Sequence, residues 1–143
     1  MPIINRSAIV PYSAEQMFQL VDDVERYPEF LPWCEKSEVH SRNDDEVHAT
    51  LHLSWKGMTK SFSTCNRVQK GKMIEIRLAE GPFKQLEGFW RFTQLGDEGS
   101  KVSLDLEFEF SNMLIAIAFG KIFEQVSDKL VGAFCERAQQ IYA

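Results

Sequence analysis

An α+β domain, with an antiparallel sheet curved around one long C-terminal helix, is the fold class this sequence predicts. Three observations predict it. The stretch from Asn112 to Tyr142 contains no proline and is amphipathic. The middle of the chain alternates apolar and polar residues at period two between turn signals, about six times over. No strand–helix–strand repeat occurs, so the strands pair antiparallel and the helices segregate to one face. The 143 residues form one domain, 1–143, long enough for a sizeable core.

Residues 2–10 read as the first strand, with Pro2 suited to its start. Ser13-Ala-Glu-Gln16 is a capping box opening a short helix through Met17, Phe18, Leu20 and Val21. Pro28 and Pro32 prevent that helix from continuing, and a second short helical piece follows. Tyr27, Phe30, Leu31 and Trp33 make this irregular segment a lid or a packed elbow. From about Ser37 strands take over. Val47, Ala49, Leu51, Leu53 and Trp55 alternate with His48, Thr50, His52 and Ser54. Turns at Lys56-Gly57, Gln69–Lys72 and Gly96–Ser100 separate the next strands, and Glu80–Lys84 reads as a loop with an exposed Phe83. Val102, Leu104, Leu106, Phe108 and Phe110 mark the cleanest strand, which leads directly into the long helix.

In that helix Ile115, Phe119, Ile122, Phe123, Val126, Leu130, Ala133, Phe134 and Ile141 share one face. Asn112 is its N-cap, and thirty helical residues span roughly 45 Å. Met113, Leu114 and Ile117 point off the stripe. Either neighbouring loops cover them, or they line a ligand entrance or touch a membrane surface. The apolar run Met113–Phe119 is far too short to span a bilayer. Arg137 falls on the stripe and is expected to snorkel at the helix end. Gly120 and Gly132 each cost roughly 1 kcal/mol against alanine, a cost that close backbone packing or a bulky ligand would explain.

The net charge of -5 hides an asymmetry. Lys56, Lys60, Arg67, Lys70 and Lys72 lie in a stretch with no acidic residue, leaving 11 bases against 21 acids elsewhere. The acidic balance excludes general nucleic-acid binding, DNA included, but the basic stretch could meet phosphates of RNA or anionic lipid. The three cysteines, Cys34, Cys65 and Cys135, are scattered and read as reduced thiols of a cytosolic protein. The N-terminal segment lacks the pattern of a signal peptide.

No hydrolase elbow, zinc motif, Walker loop or dinucleotide motif is present, and no nucleophile stands beside a base, so no catalytic or metal residue is assigned. His48 and His52 lie roughly 13 Å apart on the polar face of one strand, too far to share a metal. Binding is better supported. Many of the 17 aromatics fall where sheet, elbow and helix meet, either as packed core or as the wall of a pocket for a hydrophobic molecule.

The segments Ser7–Phe18, Leu20–Val24 and Tyr27–Cys34, followed by Gly81–Leu86, Gly88–Phe92, Phe108–Phe110, Ala133-Phe134 and Arg137-Ala138, resemble the coenzyme Q-binding START-domain family across the whole chain. The resemblance implies a helix-grip (START-like, polyketide-cyclase-like) fold with six to seven strands, two short helices after the first strand, and a cavity between sheet and long helix. Phe30, Leu31, Trp33, Phe83, Trp90, Phe110, Leu114, Phe119, Phe123 and Leu130 would line that cavity or its entrance. Polar groups near Lys60, Thr64 or Arg91 would meet a head group. Family members in eukaryotes are associated with ubiquinone binding and respiration; bacterial members are associated with binding the large ribosomal subunit and blocking subunit joining. The resemblance therefore implies a non-enzymatic, cytoplasmic protein, peripheral to the inner membrane at most, that requires no cofactor and holds ubiquinone as its ligand. Ribosome association through Lys56, Lys60, Arg67, Lys70 and Lys72 is the alternative. A cyclase acting on a bound polyketide would need a catalytic set that the sequence lacks.

Overall fold

Period-two alternation builds one seven-stranded antiparallel sheet in the computed structural model, which describes residues 3–55 and 57–142, the side chains of Trp55 and Met58 apart. The strands are β1 (Ile3–Val10), β2 (Cys34–Arg42), β3 (Glu46–Trp55), β4 (Met58–Gln69), β5 (Met73–Glu80), β6 (Phe83–Leu95) and β7 (Gly99–Phe110). Their order across the sheet is β1-β7-β6-β5-β4-β3-β2. Five hairpins join β2 through β7, and β1 closes the far edge by pairing with β7. The chain crosses between the two edges through helix α1 (Ala14–Asp22) and a 3₁₀ segment, Val24–Glu29, the two short helical pieces expected.

On β7, Val102, Leu104, Leu106 and Phe108 are buried while Lys101, Ser103, Asp105 and Glu107 alternate with them, as the pattern predicted. The Ser13 hydroxyl accepts from the Gln16 backbone N–H at 3.1 Å, and the Gln16 amide oxygen accepts from the Ser13 N–H at 2.9 Å, completing the capping box. The segment after α1 is a packed elbow. Tyr27 donates its hydroxyl proton to the Val21 carbonyl, and burial pushes its phenol far above the usual value, so it stays a donor. Arg42 ties the end of β2 to Asp22, donating to its carboxylate and its carbonyl at 2.9 Å each.

Asn112 caps the C-terminal helix as expected, accepting from the Ile115 N–H at 2.9 Å. That helix is not continuous. It runs as α2 (Met113–Asp128) and α3 (Leu130–Tyr142), with a break at Lys129, whose N–H reaches Val126 O at 3.2 Å in a tighter turn. The break shifts the apolar phase. Val131, Phe134 and Ala138 are the buried positions of α3, whereas Ile141, expected on the stripe, is 46% exposed. Arg137 does not simply snorkel. Its guanidinium pairs with Glu29 at 2.9 Å and lies 4.9 Å over the Phe30 ring, joining α3 to the elbow. Gly120 and Gly132 are not sites of close packing. A Cβ at Gly120 would meet only the Phe110 ring at 3.6 Å, and one at Gly132 would meet nothing within 4 Å.

Phe83 is the other correction. Expected in an exposed loop, it is buried at the first position of β6, opposite Phe110. A register shift between Phe83 and Gln85 turns it inward.

Candidate functional site

The inner faces of β3 to β6 and the helix junction leave the space that the sequence left open as filled or hollow. It is both. At the α2 end, Phe62, Phe83, Phe108, Phe110, Phe119 and Phe123 close it with rings packed against one another. Phe123 is the hub, with centroids 4.8 Å from Phe108 and 4.9 Å from Phe83. Towards the elbow an apolar cavity remains, bounded by Trp33 and Tyr27, by Ala49, Leu51 and Leu53 of β3, by Ile74 and Ile76 of β5, by Trp90, and by Val126, Leu130 and Phe134 of the helices. Its volume is about 90 Å³. A void of roughly 150 Å³ admits benzene, so a ring-sized ligand enters only after some opening. The break at Lys129 lies between the lining residues Val126 and Leu130.

Four of the ten residues expected at the cavity line it: Trp33, Trp90, Phe123 and Leu130. Leu31, Phe83 and Phe119 are buried core beside it. Phe30 packs its edge on Phe134 at 5.3 Å, behind the lining. Phe110 is half-buried and borders an outer groove with Lys84, Glu109, Met113 and Glu124. Leu114 does not line the cavity. It is 79% exposed, with Met113 and Ile117 each at 75%. No loop among the described residues covers these three side chains.

Sequence reasoning named Thr64 as a polar contact but missed the rest of the β3–β5 wall, Asn66 included. Thr64 and Asn66 lie on the inner face of β4, opposite Ala49 and Val47, and both border the cavity. The signal was the parity of β4 with Phe62, obscured by the polar character of the two residues. The Asn66 amide oxygen is buried and has no hydrogen-bond partner. Lys60 shares this inner face at one end of β4, opposite Leu53, whereas Arg91 is exposed on the outer face and pairs with Asp105 at 3.0 Å.

The basic stretch does not form one patch. Lys56 lies outside the described residues. Lys60 and the pair Lys70 and Lys72 stand at opposite ends of β4, roughly 30 Å apart along the strand. Arg67 lies between Glu46 and Glu75 on the neighbouring strands, and Lys70 pairs with Asp44 at 3.8 Å. Acids from adjacent strands and turns thus offset bases that look isolated in sequence.

One nucleophile does stand beside a base, contrary to expectation. Ser61 Oγ is 2.8 Å from His52 Nδ1 across β3 and β4, with Glu38 3.7 Å from His52 Nε2. The group lies on the outer face, away from the cavity, and Lys36 already engages Glu38 at 2.8 Å. His40 and His48 approach to 5.5 Å between ring centroids, closer than the His48 and His52 pair singled out from the sequence. Among the described residues no group of three or more potential ligands could hold a metal. The thiols are held protonated. Burial pushes Cys34 up to about 11 and raises Cys135, while Cys65 donates to the Glu46 carboxylate at 3.0 Å, which raises it too. No described helix is long and apolar enough to cross a membrane.

The model of the family described as polyketide cyclase / dehydrase and lipid transport matches residues 10–135. The chain is 48% identical over 139 residues to a Vibrio cholerae protein named "Ribosome association toxin RatA", covering 97% of this chain and 96% of that one. It is 29% identical over 142 residues to a Xenopus laevis protein named "Coenzyme Q-binding protein COQ10 homolog B, mitochondrial", covering 96% of this chain and 58% of that one. Among solved structures, the ZhuI aromatase/cyclase of Streptomyces sp. R1128 superposes with a TM-score of 0.86 at 17% identity, over 97% of this chain and 94% of that one, a likeness of fold alone. With the helix-grip architecture in place and its model matched from β1 to α3, the chain belongs to the START-like polyketide cyclase / dehydrase and lipid transport family.

Proposed function

We propose that this chain binds an elongated apolar ligand with a polar ring head, of the polyisoprenoid quinone type, between its sheet and its C-terminal helices. The observation that carries this reading is the apolar cavity bordered by Asn66, whose amide oxygen is buried without a partner. The name of the Xenopus relative supports the ligand class. The exposed Met113, Leu114 and Ile117 supply an apolar approach for a ligand leaving a membrane surface. Entry proceeds by movement of α2 about the Lys129 break, because the cavity as it stands is too narrow for a ring. The test is lipid extraction of the protein purified without detergent, with a quinone expected in the extract.

A second reading, ribosome association, is favoured by a separate observation: the name of the Vibrio relative, which matches at 48% identity over nearly the full length of both chains. The two readings use different parts of the molecule and coexist. The β4–β5 turn, with Lys70 and Lys72 exposed, lies outside the residues that line the cavity. Replacing both with glutamate is expected to weaken co-sedimentation with large ribosomal subunits. The slope of log affinity against log salt should fall by about 0.7–0.9 for each phosphate no longer neutralised. Unchanged sedimentation and an unchanged salt slope would remove this turn from the interface. Quinone binding by the same variant should be unaltered.

A further inference from the structure

A buried amide oxygen without a partner is a demand for a donor. Asn66 Oδ1 is buried with no hydrogen-bond partner, and Asn66 borders a cavity whose wall includes Leu53, Ile76 and Trp90. Tyr27 cannot serve it, since its only hydroxyl proton goes to the Val21 carbonyl. At this oxygen a carbonyl-bearing ring, which offers only acceptors, would set oxygen against oxygen and leave its carbonyls to the Thr64 and Ser127 hydroxyls of the lining. A ring hydroxyl offers the proton that is missing. We propose that the cavity selects the reduced, hydroxyl-bearing form of its ring ligand, a hydroquinone, over the oxidised quinone, with the ligand hydroxyl donating to Asn66 Oδ1. This rests on the quinone reading above and adds to it a preference for one redox state.

The preference has a size. The difference between pairing a buried acceptor and leaving it unpaired corresponds to about tenfold in affinity. By linkage, tenfold tighter binding of the reduced form raises the two-electron potential of the bound couple by about 30 mV. The protein would then hold the ligand in its reduced state, with no electron transferred by any residue of the chain.

Three probes of one shape test this under anaerobic conditions by calorimetry: tetramethylhydroquinone, tetramethylbenzoquinone and tetramethylbenzene. The hydroquinone is expected to bind about tenfold tighter than the benzoquinone. Asn66→Leu should bring that ratio to about one while the hydrocarbon still binds. Asn66→Asp, titrated at a pH high enough to ionise its carboxylate, offers acceptors only and should retain the preference. Equal binding of the two redox forms, or a preference that survives Asn66→Leu, would overturn the proposal and leave the quinone reading standing. A preference for the benzoquinone that is lost in Asn66→Asp would show the amide N–H turned inward and would also overturn it. Failure of all three probes to bind, the hydrocarbon included, would overturn the quinone reading and this proposal together.

Discussion

Phe123→Ala is expected to lower the unfolding free energy by about 3–5 kcal/mol, the range for truncating a buried Phe. Phe123 is 4% exposed and its ring touches Phe62, Phe83, Phe108, Phe110 and Phe119. These rings cannot all collapse into the space it leaves, because Phe83 and Phe108 are fixed on adjacent strands of the sheet. The loss is a large part of the roughly 5–15 kcal/mol available to a domain of this kind. Urea denaturation followed by tryptophan fluorescence measures it. The same substitution joins the emptied space to the cavity, which Phe123 also lines. A small aromatic hydrocarbon should therefore bind the variant better than the parent and recover part of the lost stability. A loss below about 1 kcal/mol would mean that the cluster is loosely packed.

Gly88→Ala is expected to be as damaging, for a different reason. Gly88 sits in the middle of β6 opposite Leu106, and a Cβ there would collide with the Asp105 carbonyl oxygen and stand 3.0 Å from the Leu106 Cα. The obstructing atoms belong to the backbone of a central strand, so relief requires β6 and β7 to part. The cost should reach about 3 kcal/mol or more, at or above the upper end for overpacking. The same change at Gly132 provides the contrast. That position is exposed in α3 with nothing within 4 Å of a new Cβ, so Gly132→Ala should stabilise by up to about 1 kcal/mol. Comparable effects at the two positions would contradict the packing described for β6 and β7.

Gly88 also shows what the sequence could and could not convey. Strand β7 was legible because one face is core and the other solvent, so alternation reports burial directly. The caps at Ser13 and Asn112 were legible because their chemistry is local. Phe83 was not, since Gly81-Pro82 before it signals a turn while a register shift against β7 decides where the ring points. The break at Lys129 carries no proline or glycine. It coincides with the ion pair between Asp128 and Arg6 of β1, which joins residues far apart in the chain. The basic stretch misled for the same reason in reverse. Neighbours in sequence are carried roughly 30 Å apart by one long strand, and acids from other strands and turns come to lie beside them.

Of the cavity, the aromatic part was readable and the polar part only at Thr64. Trp33, Trp90 and Phe123 stand out by type, whereas Asn66 looks like a surface residue until β4 is aligned with Phe62 against β3. A polar residue on an inward parity is the feature that register alone exposes.

Native mass spectrometry of the protein, purified gently from its own host without detergent, tests the central claim most directly. A species heavier than the chain by the mass of one polyisoprenoid quinone or its hydroquinone is expected, and its loss on mild activation should leave a folded protein. A protein that carries only its own mass, and still does so after incubation with excess quinone, would contradict the account. The space between sheet and helix would then be core, and the function would lie on the outer surface.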